Sequence, residues 1–537
     1  MPLRRTVTRA RQCSLRDVPS LSDRLDRFVD TLPRACPGPG GAVAVLRGWE
    51  ILVRHAWGWA NAERRIPFTP HTLFQMCSVT KQFTCAVLLD LFPDPSKLDA
   101  DVRARLPRLT RPAPTTEHLC HMQSGLRDYW AVAMLHGSPV EGPFADLEAT
   151  RVISGTQTLQ FTPGTSYSYT NQNFRLLADI LEERTGRTFG ELLRARIFQR
   201  AGMATASFST ATRGTPDGTE GYEGAPATGF RIAENHVHFR GDAGLVASLD
   251  DIIAWERHLD ATRDDPTALY PRLSAPVTFT NGAPAPYGFG LASSKEFGRD
   301  VIGHGGALRG WRSHRLYVPA ERVSIVVMLN FLADAGGAAL DALAAVLDER
   351  RVTPDATLPS PDWLGAYVEP ESALAVQIHA ASPGQLLLRY AHFPELLNLE
   401  RDGSARNSRG TQLSLTGGEL WMDRPQENAR SRLYRCSGVP RHDVVGRYRC
   451  DELEAELTIA DAGGVLHGAC SGFLGQGRME MLDPVGADVW TMPCRRALDH
   501  TPPGEWTLAF RRDAGDGVTG VDVGCWLARR LSYVRVT

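Results

Sequence analysis

Among the 59 basic side chains only Lys81, Lys97 and Lys295 are lysine, so that 56 are arginine. Arginine serves wherever a permanent positive charge suffices, and a lysine kept in such a chain points to work a guanidinium cannot do, such as losing its proton. Lys97 and Lys295 stand among turn-forming polar residues and read as solvated charges. Lys81 closes Ser78-Val79-Thr80-Lys81 and opens a run, Gln82 to Phe92, that is apolar on nearly every side. That run predicts a buried helix. Residues three apart share a helix face, which brings the Ser78 hydroxyl and the Lys81 amine within hydrogen-bond reach. Burial disfavours the ammonium form and leaves an amine able to accept the serine proton, the arrangement of an activated nucleophile. The backbone N–H groups at the helix start would face an oxyanion formed there.

Two further segments supply partners. Phe161 to Asn171 is a Pro-Gly turn leading into a polar loop with Tyr169 and Asn171, followed from Phe174 by an amphipathic helix stopped at Gly186. Val301-Ile-Gly-His304-Gly305-Gly306-Ala307 precedes two strand-like runs, and its glycines let a substrate backbone approach an edge strand.

Ser-x-x-Lys, Tyr-x-Asn and His-x-Gly in this order resemble the three motifs of the penicillin-recognising serine hydrolases. Tyr-x-Asn in second place is similar to the class C β-lactamase branch, as are His121-Met-Gln-Ser-Gly-Leu126, Gly241-Asp-Ala-Gly-Leu-Val-Ala-Ser248 and Tyr287-Gly-Phe-Gly290. The resemblance covers residues 25–350 and implies Ser78, Lys81, Tyr169, Asn171 and His304 as catalytic residues. It also implies Gly306 and Ala307 at the substrate, with the N–H groups of Ser78 and Ala307 on the oxyanion. His304 stands where many members carry lysine, which favours the peptidase and esterase relatives over β-lactamase activity. It is expected on the strand lining the cleft, bonded toward Tyr169 or the leaving group, with activity rising near pH 6–7.

These residues need a scaffold. Gly41 to Leu46 and Ile51 to Trp57 read as an early hairpin and residues 314–330 as a late one, so the two ends of the region can join in one antiparallel sheet. A closing helix is expected to pack Leu340, Leu343, Ala344 and Leu347 against it. After a proline-bearing stretch at 350–362 the chain becomes strand-like and carries a weak repeat. Gly365-Ala-Tyr367 precedes Ile378, and Gly446-Arg-Tyr448 precedes Ile459, at an offset of 81 residues. The expected fold is an α/β catalytic domain, an antiparallel sheet flanked by helices (1–350), followed by two small antiparallel β-barrels (351–437 and 438–537).

In this arrangement the whole chain resembles the D-aminopeptidase family of the same hydrolases. The resemblance implies a homodimer that releases N-terminal D-residues from short peptides, amides and esters through an acyl-enzyme. A loop of the last domain (493–504) would meet the substrate's free amine, and its carboxylate is Asp499. A β-lactamase, a D-Ala-D-Ala carboxypeptidase or an esterase of the same family is the alternative, and a silent binding protein on the fold is a further one. The last is disfavoured by the presence of Ser78, Lys81 and Tyr169.

A net charge of −2 excludes a field that gathers nucleic acid or anionic membrane. No run of apolar residues is long enough to span a bilayer, and the Arg-rich start lacks the apolar stretch of a signal peptide, so the expected location is cytoplasmic. The ten cysteines have no C-x-x-C or zinc-ligand spacing and are expected as free thiols; neither metal nor cofactor is implied.

Overall fold

The computed structural model describes residues 19–139, 144–350, 354–390, 394–494 and 505–536. The chain opens with helix α1 (Leu21–Ala35), capped by Ser20 and Asp23, and the hairpin β1 (Gly40–Arg47) and β2 (Glu50–Asn61). A 3-10 turn, Cys77–Val79, runs into helix α2 (Thr80–Leu91). Short α3 (Tyr129–Leu135) and long α4 (Asn171–Thr185) follow. The chain then returns through β3 (Leu291–Glu296), β4 (Arg299–Leu308), β5 (Trp311–Val318) and β6 (Val323–Leu329) to helix α5 (Ala335–Leu347).

β6 pairs antiparallel with β1 over Gly41↔Leu329 to Arg47↔Val323, so the early and late hairpins do join. The eight-stranded sheet has the order β3-β4-β5-β6-β1-β2, edged by Tyr287–Gly288 and Ile66–Pro67. Successive residues of a strand face opposite sides. Ala42, Ala44 and Leu46 of β1 therefore enter the core under α2 and α4, while Val43 and Val45 enter the core under α1 and α5. Both faces are covered, and a run as apolar as Ala42 to Leu46 is the consequence.

α5 is buried through Ala335, Ala338, Ala339, Ala342, Leu343 and Val346; of the expected residues Leu343 lies in the core shared with the sheet, Leu340 and Leu347 pack against that core half-buried, and Ala344 is half-buried. Alanines let the helix lie close to the strands, and α1 packs against the same helix. α4 begins at Asn171, not after it, and ends on Gly186 in the left-handed conformation.

The C-terminal third forms two barrel-like antiparallel sheets. Among the described residues one has nine strands between Gly365 and Arg435, the other ten between Gly446 and Val536. The repeat is real in three dimensions. β7 (Gly365–Glu369) pairs with β8 (Leu374–Ala380) through Gly365↔Ile378. β9 (Gly446–Cys450) pairs with β10 (Ala455–Asp461) through Gly446↔Ile459, the same register 81 residues on. The Tyr367 hydroxyl donates to Trp363 O and the Tyr448 hydroxyl to Val444 O, each four residues back. The nine-stranded sheet encloses its own core, while the core of the ten-stranded sheet is continuous with that under α2 and α4. Trp526, in the tight turn between β11 (Val518–Cys525) and β12 (Ala528–Val536), packs against both.

Candidate active site

Cys77, a non-glycine residue with φ of +54°, turns the chain sharply ahead of α2 and sets Ser78 at the helix start. Strands β3 and β4 pair only as far as Ala292↔Gly303, so residues 305–308 of β4 lie beyond the end of β3. The Cys77–Val79 turn packs against this strand. At Gly306 a Cβ would stand 2.5 Å from Met76 O and 3.0 Å from Cys77 Cβ. Only glycine lets the strand come this close to the nucleophile turn.

Lys81, fully buried one turn into α2, has its Nζ 3.0 Å from Ser78 Oγ, 2.8 Å from Asn171 Oδ1 and 2.7 Å from the main-chain O of Asp242. The last two atoms only accept, so they hold two N–H groups of the amine and turn the third tetrahedral position toward Ser78. Burial pushes the amine down to about 8 from the usual 10.5, against the opposing pull of Asp242 and Asp128. The Tyr169 hydroxyl donates to Ser78 Oγ at 2.7 Å, and burial holds this phenol well above its usual range, so it stays protonated and donating. The rings of Tyr169 and Phe174 lie 4.9 and 5.6 Å from Nζ, where their faces support the ammonium whenever it forms.

Behind this layer stand two carboxylates the sequence did not single out. Asp128 Oδ1 accepts from the N–H groups of Trp130 and Ala131, capping α3, while Oδ2 accepts from Asn171 N at 2.6 Å. One aspartate thus closes two helix starts and fixes Asn171. Its signal, an Asp directly before the apolar run Tyr129 to Leu135, was present as an N-cap pattern. Asp242 accepts from the Tyr129 hydroxyl and from Arg240 N, and burial raises it to about 6. It lies inside Gly241-Asp-Ala-Gly, but nothing local showed that its carbonyl faces Lys81.

His304 lies on β4, with its ring centroid 6.1 Å from that of Tyr169. Its hydrogen bond goes to the Tyr287 hydroxyl (2.9 Å), not to Tyr169. Nδ1 faces Gly305 O, an acceptor, so Nδ1 carries the proton and Nε2 accepts from Tyr287. Burial, reinforced by Lys81, pushes the imidazole down to about 3. The expected rise in activity near pH 6–7 is therefore withdrawn, because His304 is neutral throughout that range. Asp499 and residues 495–504 of its loop lie outside the described residues. All nine described cysteines are free, and among the described residues no group of three or more His, Cys, Asp or Glu side chains is arranged to hold a metal ion.

A serine in contact with a buried lysine whose amine is lowered to about 8 and with a protonated tyrosine, set at a sheet edge under helices, places the chain in the β-lactamase class of serine hydrolases. Residues 25–349 match the family model described as beta-lactamase, and residues 356–534 match that of D-aminopeptidase, domain B. The chain belongs to the D-aminopeptidase family. It is 59% identical over 527 residues to the D-aminopeptidase of Gluconobacter oxydans (strain 621H), covering 96% of this chain and 99% of that one. It is 45% identical over 512 residues to the D-aminopeptidase of Brucella canis, covering 95% and 98%. Among solved structures, the octameric penicillin-binding protein homologue from Pyrococcus abyssi aligns with a TM-score of 0.52 at 19% identity, over 76% of this chain and 99% of that chain. The D-amino acid amidase from Ochrobactrum anthropi SV3 complexed with D-phenylalanine aligns with 0.51 at 20%, over 62% and 99%. These two likenesses bear on the fold.

Proposed function

We propose that the protein is a serine aminopeptidase that removes N-terminal D-amino acids from short peptides, amides and esters through an acyl-enzyme on Ser78. One observation carries the chemistry: Ser78 Oγ is in hydrogen-bond reach of both a neutralisable amine and a phenol that stays protonated. As Ser78 attacks the substrate carbonyl, Lys81 takes its proton. The N–H groups of Ser78 and Ala307 hold the oxyanion, an interaction worth about 3–4 kcal/mol per donor. On collapse the C–N bond breaks, and Tyr169 hands a proton to the leaving amine and recovers one from Lys81. Water then repeats the cycle on the acyl-enzyme. Asn171 keeps the Lys81 amine aimed, and His304 lines the cleft as a neutral imidazole tied to Tyr287. Stereospecificity and the free-amine requirement rest on the whole-length likeness to D-aminopeptidases, with Asp499 meeting the amine because unpaired burial of that cation would cost several kcal/mol.

The same likeness supports a division into a catalytic domain (1–350) and two β-domains (351–437 and 438–537), and a homodimer, which light scattering of the full chain tests. No described helix is long and apolar enough to cross a membrane. The free cysteines fit a reducing cytoplasm. The decisive assay compares D-alanine p-nitroanilide with its L-isomer and, in parallel, a cephalosporin. Faster turnover of the L-isomer or of the cephalosporin would sink the proposal.

A further inference from the structure

A file of ring contacts leads away from the nucleophile. Tyr169 leads to His304 (centroids 6.1 Å apart), His304 to Tyr287 (5.5 Å), Tyr287 to Tyr167 (6.0 Å) and Tyr167 to Trp526 (6.3 Å). Tyr167 and Tyr169 flank Ser168, which is buried and whose Oγ accepts from Gln160. Tyr167 thus stands two residues before Tyr169 in the same loop. Its ring is half-buried, and its hydroxyl makes no hydrogen bond among the described residues.

Trp526 comes from the last hairpin of the chain and is also half-buried. Its indole N–H donates to Glu427 Oε1 at 3.0 Å. Glu427 is fixed in turn by Arg424 (2.7 Å) and Arg529 (2.8 Å). The turn bearing Glu427 also holds the stretch that carries Tyr167: Ser166 Oγ donates to Glu427 O at 2.6 Å, and Asn428 Nδ2 donates to Thr165 O at 2.8 Å. One acidic turn of the nine-stranded sheet thus orients both rings.

Their position relative to the reaction follows from the proton path. In the mechanism proposed above, on which this step rests, Tyr169 protonates the leaving nitrogen. That nitrogen must lie within hydrogen-bond reach of the Tyr169 hydroxyl. Of the rings beyond Tyr169 in this file, His304 and Tyr287 are buried, while Tyr167 and Trp526 are half-buried and so are the two that can meet whatever that nitrogen carries.

We propose that Tyr167 and Trp526 form a leaving-group subsite that receives the second residue of the substrate and is built for an aromatic or large apolar side chain. Aromatic rings pair with aromatic and large apolar side chains, and aromatic pairs add to the contact made by buried area alone. The Tyr167 hydroxyl, which has no hydrogen-bond partner among the described residues, can meet a peptide amide or carboxylate of the same residue.

The test uses D-Ala-L-Phe, D-Ala-Gly and D-alaninamide, whose acyl parts are identical and whose leaving groups are an aromatic residue, glycine and ammonia. Wild type should show kcat/KM for D-Ala-L-Phe at least fivefold above that for D-Ala-Gly. In Trp526→Leu and in Tyr167→Leu the ratio of D-Ala-L-Phe to D-alaninamide should fall at least fivefold. If Trp526→Leu fails to fold, because the indole also packs on two cores, Tyr167→Leu reads the same ratio. Ratios within twofold of wild type, or both substrates falling in step, would mean that the rings serve packing only and overturn the subsite. Wild-type turnover of D-alaninamide without preference between the two dipeptides also overturns it while leaving the aminopeptidase reading intact. Inactivity of wild type on all three overturns that reading and the subsite with it.

Discussion

Replacing Asn171 with Asp tests the role of Lys81 as the titrating base. In the native site a neutral amide oxygen 2.8 Å from Nζ accepts one amine proton. Burial, the largest influence on the amine, lowers it from 10.5 to about 8. At pH 7 about a tenth of the enzyme then holds a neutral Lys81, roughly 300-fold more than an unperturbed lysine would give. The neutral form is the competent one, so activity should rise with pH, about tenfold per unit, until it levels near pH 8. Asn171→Asp keeps the size and the acceptor but adds a negative charge in contact with the amine, which raises an amine by about 1–3 pH units. The acid limb should move upward by that amount. At pH 7 kcat/KM should fall about 10- to 1,000-fold, about 1.4–4 kcal/mol of lost transition-state stabilisation. By pH 10 the loss should shrink to about twofold or less for a shift of up to two units and to about tenfold for a shift of three. The assay is D-alanine p-nitroanilide hydrolysis from pH 6 to 10, taken as the ratio of variant to wild type, because the substrate's own amine titrates identically for both. A damaged fold lowers the whole profile without moving it. A limb still at pH 8 in the variant, with the plateau merely reduced, would refute Lys81 as the base.

Lys81→Arg should keep less than a tenth of the wild-type rate at any pH, because guanidinium stays charged; single-turnover acylation measures it. His304→Gln should leave the pH–rate profile between 6 and 9 in place, since the imidazole is neutral down to about 3, and a displaced limb would contradict that. Glu427 is buried, yet Arg424 and Arg529 outweigh the cost of burial and hold it near 2 in place of the ordinary 4.5. A depressed carboxyl contributes stability present above pH 4.5 and lost as pH falls toward 2. At pH 7 Glu427→Gln should therefore cost about 3 kcal/mol, read as a lower urea midpoint, and should weaken the acid dependence between 4.5 and 2. Asp499→Asn should lower kcat/KM for D-alanine p-nitroanilide more than threefold relative to an N-acetylated ester; a smaller change would assign the amine to another group.

Where chemistry depends on short-range spacing, the sequence determined it. Ser78 and Lys81 are three apart at the start of an apolar run, and a helical turn does the rest. The 81-residue offset likewise needed no tertiary information, because Gly365↔Ile378 and Gly446↔Ile459 are neighbours within single hairpins whose registers are set by their own turns. The joining of the first and last hairpins was legible from the strand-like runs at each end. Tertiary structure alone decided what crosses long stretches of chain. Asp128 caps the helix that begins at Asn171, 43 residues on, and replaces a local cap that Thr170 does not provide. The Asp242 carbonyl reaches Lys81 across 161 residues. Trp526 and Glu427, 99 apart, fix a tyrosine hundreds of residues upstream. Such partners leave no periodic trace, since a hydrogen bond between distant segments constrains one residue at each end and nothing between them. Even His304, found by its motif, took its partner and its charge from burial beside Tyr287, a property of the packed cleft and not of the residues that flank it in the chain.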